Sequence, residues 1–184
     1  MNIFAINQDP VLAAQEQCDQ HVRKMTVETG QLLSTAHRII DGTETIILKN
    51  GRKCKRWVHP DNHLDKHLYL ATHYNHPSNI WARETSENYN WLYKHFCALS
   101  KEFAYRSESG NAHLTYIKLK DILKYPPKNI KKSSLTKFKL AMKSQPQCMN
   151  EDDPIASYRE FYKTKKETFN TKITWTKRKP PVWF

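Results

Sequence analysis

Apolar residues recur at three-, four- and seven-residue steps from Pro10 to about Arg38. Val11, Ala14, Cys18, Met25, Leu32 and Ala36 fall into one stripe, which predicts a long amphipathic helix. Asp9-Pro10 marks its start: Asp9 supplies a capping oxygen, and Pro10 fits the first turn, where no N–H partner exists. Gly30 inside the run costs about 1 kcal/mol relative to Ala and marks a bend or a close contact. The segment before it, Met1 to Ile6, is apolar and extended. The period then changes. Thr43 to Lys49 is rich in β-branched residues, Asn50-Gly51 suits a two-residue turn with positive φ, and Arg52 to Val58 reads as the returning strand of a hairpin.

Helical periodicity resumes at Pro77-Ser78, where Tyr89, Leu92, Phe96, Leu99 and Phe103 form a core-facing stripe that ends before Ser107. A shorter helix is expected over about 113–123, ending at Tyr125-Pro126-Pro127. After a Lys-rich loop, Asp152-Asp153-Pro154 caps a last helix through Ser157, Tyr158, Phe161 and Tyr162. The pattern predicts a mostly α chain: one compact helical domain over 1–184, a small β-hairpin insertion at 43–58 and a basic aromatic C-terminal extension at 163–184.

Length and charge narrow the function classes. A chain of 184 residues suits one domain with a real core. Lys and Arg number 30 against 18 acids, a net charge of +12, which favours a polyanionic partner. Four glycines argue against Gly-rich phosphate loops. No apolar run approaches the roughly 20 residues of a membrane helix, and no signal-peptide layout opens the chain. Cys18, Cys54, Cys97 and Cys148 are dispersed, with no CxxC pair, so a reduced, cytoplasmic protein with no membrane partner is expected.

The positive charge is concentrated in two places. Lys49, Arg52, Lys53, Lys55 and Arg56 surround the hairpin tip, either as a wing against phosphates or as an edge guarded against aggregation. From Lys163 to Phe184 there are seven basic residues and one acid, half the net charge, interleaved with Phe169, Trp175, Trp183 and Phe184. Those rings either stack on bases or dock on the core, while Lys177-Arg178-Lys179 is free to face a partner. His59, His63 and His67 are spaced to share one helix face, where two of them suit zinc. No carboxylate or cysteine completes a ligand spacing, so neither a metal nor any other cofactor is expected.

Two constellations carry candidate chemistry. On the first helix, Gln17, His21, Lys24, Glu28 and Gln31 form a polar stripe, with His21 and Glu28 about 10 Å apart along the axis. A carboxylate near Arg23, Lys24 or Arg38 is either a general acid–base or one half of an ordinary salt bridge. Thr72 to Ser78, with Trp81, Arg83, Ser86 and Asn88, is either an anion site at a helix start or an elaborate cap around a histidine.

Cys18-Asp19-Gln20-His21, with Glu28 seven residues after the histidine, resembles the first helix of the pyrimidine-dimer DNA glycosylases of the phage endonuclease V type. Tyr74-Asn75-His76-Pro77 followed by Arg83 is similar to the Tyr-x-Asn-His-Pro segment of their bacterial relatives, and Glu102-Phe103-Ala104-Tyr105-Arg106 to their third helix. The chain's opening and the run from Tyr158 to Tyr162 also resemble a further group of phage proteins. The glycosylase resemblance spans about residues 1–110. It implies a compact helical fold, double-stranded DNA as partner, and cleavage of the glycosidic bond of a damaged or modified pyrimidine through a Schiff base. On that pattern Glu28 is the general acid/base, His21 positions, and Met1 supplies the amine. Asn2 stands where the phage enzymes expose a threonine after methionine removal. The DNA-contacting set is Arg23, Lys24, Arg38, Arg52, Lys53, Lys55, Arg56, Asn75, His76, Arg83, Lys177, Arg178 and Lys179. The alternatives are a DNA-binding or base-modifying protein without lyase chemistry, or a phage protein that meets an acidic host-protein surface.

Overall fold

Asp9 takes the place its neighbour dictates. Its Oδ1 accepts from the N–H groups of Val11 and Leu12 at 2.7 and 2.9 Å and launches α1, Pro10–Gln15. The computed structural model describes residues 1–169 and 172–184, so residues 170 and 171 of the expected extension lie outside the description. The single helix expected from Pro10 is divided: α2 spans Asp19–Asp41, and Cys18 before it is extended. The reason is tertiary. Arg106 donates to the carbonyls of Gln15 and Gln17 at 2.9 and 2.8 Å, and Trp175 Nε1 donates to that of Glu16 at 2.9 Å. These distant donors satisfy the carbonyls a continuing helix would have bonded itself, and Tyr162 accepts from the Cys18 N–H.

β1 (Thr43–Lys49) and β2 (Arg52–Val58) form the expected antiparallel hairpin, with Thr43 opposite Val58 and Lys49 opposite Arg52. Asn50 and Gly51 adopt the positive φ values, 51° and 75°, that the turn requires. Most of the hairpin is exposed; Trp57 at its base is buried, its ring 4.9 Å from that of Tyr74.

α3 (Asn62–His67) is capped by Asp61. It is too short to carry all three histidines: His63 and His67 share its face, with ring centroids 4.5 Å apart, whereas His59 precedes it and is buried. α4 (Pro77–Ala82) and α5 (Ser86–Arg106) follow, capped by His76 and Thr85. α6 is Leu114–Leu119, α7 is Pro154–Lys163 behind its Asp153 cap, and α8 is Lys165–Thr168.

The core lies where α2 meets α5, with α1 also against α5 and α4 and α6 against α2. Met25, Leu32, Leu33 and Ala36 of α2 face Tyr89, Leu92, Phe96 and Leu99 of α5 in one buried cluster. Gly30 marks a close contact: a Cβ there would come within 2.9 Å of Thr115 Cγ2 on α6. The C-terminal rings dock. Trp175 is buried, Trp183 Nε1 donates to Glu16 Oε2 at 2.9 Å, and Phe184 lies 4.8 Å from the Trp175 ring. Among the described residues no helix is long and apolar enough to cross a membrane.

Candidate functional site

The extended N-terminus is bound to α2 through its second residue. Asn2 is buried; its Oδ1 accepts from the N–H groups of Ile3 and Phe4 at 2.7 and 3.0 Å, and its Nδ2 donates to the Ala141 carbonyl at 3.1 Å. The turn thus made puts Phe4 at φ 51°, in the left-handed region, and its ring against His21 at 4.5 Å. It also aims the Asn2 backbone N–H at Glu28 Oε2, 2.9 Å away. The Met1 amino nitrogen follows it to 3.8 Å from the same oxygen, while the Met1 side chain is buried. Lys24 Nζ, one turn earlier on α2, lies 3.6 Å from the other oxygen, Oε1. Met1, His21, Lys24, Glu28, Lys165 and Phe169 line a cavity of about 280 Å³ at this point.

The two charged partners give Glu28 a fixed orientation, and the cavity gives it access to a ligand. His21 is placed differently. Its Nδ1 lies 2.7 Å from the Tyr162 hydroxyl, and its ring is enclosed by Phe4, Tyr162 and Phe169. Burial, reinforced by Lys24 and Lys165, lowers its pKa to about 3. At neutral pH it is an uncharged ring that orients neighbours, and it has no imidazolium proton to give. Lys165 is itself pushed below its ordinary value by burial and by Lys24. His76 caps α4 through Nδ1 and feels the same site. Burial lowers its pKa first and the Met1 amino group next, while Glu28 acts in the opposite direction.

The structure therefore brings Met1, His21 and Glu28 together, with Lys24 at the rim and His76 within electrostatic reach. Arg23 and Asn75 are exposed, and Arg83 is half-buried with Nη1 on Asn79 Oδ1 at 3.1 Å. Arg52, Lys53, Lys55 and Arg56 stand on the hairpin, and Lys55 is paired with Glu44 at 2.7 Å.

Arg38 has to be removed from the DNA-contacting set. It is 3% exposed and donates to the carbonyls of Tyr69, Trp57, Asp65 and Leu68 and to Asp65 Oδ1. A guanidinium so enclosed ties the hairpin base and α3 to α2. Arg178 is partly committed as well, gripping Glu102 with two bonds of 2.8 and 2.9 Å, and Lys177 Nζ donates to the Tyr105 carbonyl at 2.7 Å. Lys179 is exposed.

Sequence reasoning missed Lys165, Phe169 and Tyr162 as parts of the site and read Asn2 only as a departure from a pattern. Nothing in local spacing identifies the first three, which come from the far end of the chain. Asn2 carried one signal: a polar residue among apolar neighbours in a buried segment needs partners. A second and larger cavity, about 620 Å³, lies at the other end of α2 and includes His37, Asp41 and His59. The chain was compared with known proteins, and no family model, curated protein or solved structure matches it.

Proposed function

We propose that the protein is a DNA-acting glycosylase and abasic-site lyase centred on the Met1–Glu28 cavity. The observation that carries this reading is the Met1 amino nitrogen 3.8 Å from the Glu28 carboxylate at an open cavity. An amine beside a carboxylate is what Schiff-base chemistry at a sugar requires. The neutral amine attacks C1′, and the C1′–N bond to the base breaks, its electron pair leaving with the base, which then takes up a proton. The amine gives up a proton to Glu28. The sugar ring opens: O4′ accepts a proton as its bond to C1′ breaks, leaving a C1′ iminium. Removal of a C2′ proton then expels the 3′ phosphate. Lys24 and Lys165 supply positive charge for the flanking backbone, and His21, neutral and fixed by Tyr162, keeps the Phe4 turn in place.

The net charge of +12 and the exposed hairpin support DNA as the partner. Borohydride trapping on UV-irradiated, abasic-site and undamaged duplexes tests the reading. The expected result is a covalent protein–DNA band on damaged DNA that disappears when the N-terminal amine is acetylated. Glu28→Gln keeps an acceptor for the Asn2 N–H and is expected to slow trapping by about 10²–10⁴-fold without weakening binding. A band that survives acetylation would move the nucleophile to a lysine. DNA binding with no band on any substrate would replace the lyase with a binding or base-modifying protein.

A further inference from the structure

The 620 Å³ cavity at the far end of α2 is lined by three aspartates, Asp41, Asp61 and Asp121, in a protein that is otherwise strongly basic. His37 and Asp41 are four residues apart on α2 and therefore face the same side. His59 reaches them because β2 returns the chain to the end of α2, and Asp65 accepts the His59 N–H at 2.8 Å. One ligand atom from each of His37, Asp41 and His59 lies within 4.8 Å of the other two. Both histidines are 4% exposed, and each has one ring nitrogen without a hydrogen-bond partner: Nδ1 of His37 and Nε2 of His59.

Two of the three groups, His37 and Asp41, are already held as ligands are. Tyr89 spends its hydroxyl proton on the Leu123 carbonyl at 3.0 Å, so its oxygen accepts from His37 Nε2–H at 2.9 Å. On that tautomer Nδ1 carries the lone pair, and the Tyr125 backbone carbonyl is a further polar group beside the ring. Asp41 accepts the backbone N–H groups of Lys128 and Asn129 at 2.7 and 2.9 Å, one on each oxygen, which orients the carboxylate and leaves each oxygen a further lone pair. His59 Nδ1 accepts the Asp61 N–H at 3.1 Å, so ligation through Nε2 requires the ring proton to move to Nδ1 and that bond to break.

We propose that His37, Asp41 and His59 bind a divalent transition-metal ion of the zinc class, with the cavity side of the ion open to water or a ligand. Two imidazoles and one carboxylate form a donor set suited to such ions, and three protein ligands leave a position free. An ion about 2 Å from each donor draws the three together by small side-chain rotations. Buried imidazole nitrogens with no partner are costly in an empty site, and ligation supplies the partner. Glu28 and Asp41 are 13 residues apart on α2, about 20 Å along the axis, so this site is separate from the Met1–Glu28 cavity and independent of that reading.

The test is titration of the chelator-treated full-length protein with Co²⁺, read by visible absorption, and with Zn²⁺, read by calorimetry. One equivalent is expected to bind, and His59→Gln is expected to weaken it at least 100-fold. His67→Ala is expected to leave it unchanged, because the His63–His67 pair on α3 is the competing site and His67 does not line the cavity. The wild-type protein gives a further check that needs no variant. Zinc should shift the ¹⁵N resonances of the His37 and His59 rings and leave those of His67 in place. Absence of stoichiometric binding overturns the proposal. So does binding that survives His59→Gln, or that is lost in His67→Ala.

Discussion

Removing the side chain of Asn2 tests whether the N-terminal anchor places the amine beside Glu28. In Asn2→Ala the N–H groups of Ile3 and Phe4 lose their shared acceptor while both residues remain at least 95% buried. An unsatisfied buried N–H costs about 1–3 kcal/mol, and loss of the bond to Ala141 adds about 1 kcal/mol. Relaxation of Phe4 from its left-handed φ returns about 1–2 kcal/mol. The net expectation is a loss of about 3 kcal/mol, or about 6–12 °C in Tm for a chain of this length. Amide exchange at Ile3 and Phe4 should accelerate in parallel, and in protein shown by mass to retain Met1, which a small residue at position 2 exposes to removal, borohydride trapping should fall with Glu28 untouched. A Tm within about 1 °C of the wild type, with unchanged exchange at Ile3 and Phe4, would refute the anchor.

Acid should destabilise the fold through its buried neutral histidines. His21, His37 and His95 have pKa values of about 3, 4 and 4, each lowered chiefly by burial. These lie below the unfolded value near 6.5, so between those limits the unfolded state binds more protons and stability falls as pH falls. At pH 5 each costs about 2 kcal/mol relative to pH 8, together about 6 kcal/mol. Urea denaturation at the two pH values should show this, and equal midpoints would refute it. Arg38→Met should cost about 3–5 kcal/mol by leaving the carbonyls of Tyr69, Trp57 and Leu68 without their donor, with no change in the salt dependence of DNA binding. A stable variant with a shallower salt slope would return Arg38 to the DNA surface. Neutralising Arg52, Lys53, Lys55 and Arg56 to Gln should reduce the slope of log K against log salt by about 3, since Lys55 is already paired with Glu44. An unchanged slope would leave the hairpin a charged edge without a phosphate contact.

Local rules made much of this fold legible. Asp9 and Asp153 cap because each precedes a proline at a helix start. Asn50-Gly51 turns because both residues tolerate positive φ, and the strand ends follow from that two-residue loop. The stripe from Tyr89 to Leu99 becomes core because its period is helical. The division of the first helix was not legible, since it depends on Arg106 and Trp175, which are 89 and 159 positions from the carbonyls they bond. The same holds for the buried role of Arg38: its acceptors are backbone carbonyls, and every residue carries one whatever its side chain. His59 departs from the face its spacing implies because spacing alone cannot tell that α3 begins only at Asn62. By itself the sequence determined the helical class, the hairpin, the caps and the spacing of His21 and Glu28 on one helix. Only the tertiary structure decided that the Met1 amine reaches Glu28, that Tyr162 holds His21, and that His37, Asp41 and His59 converge. Periodicity and capping act over a few residues, so a single chain segment displays them. A site assembled from both ends of the chain exists only once packing has paired those segments.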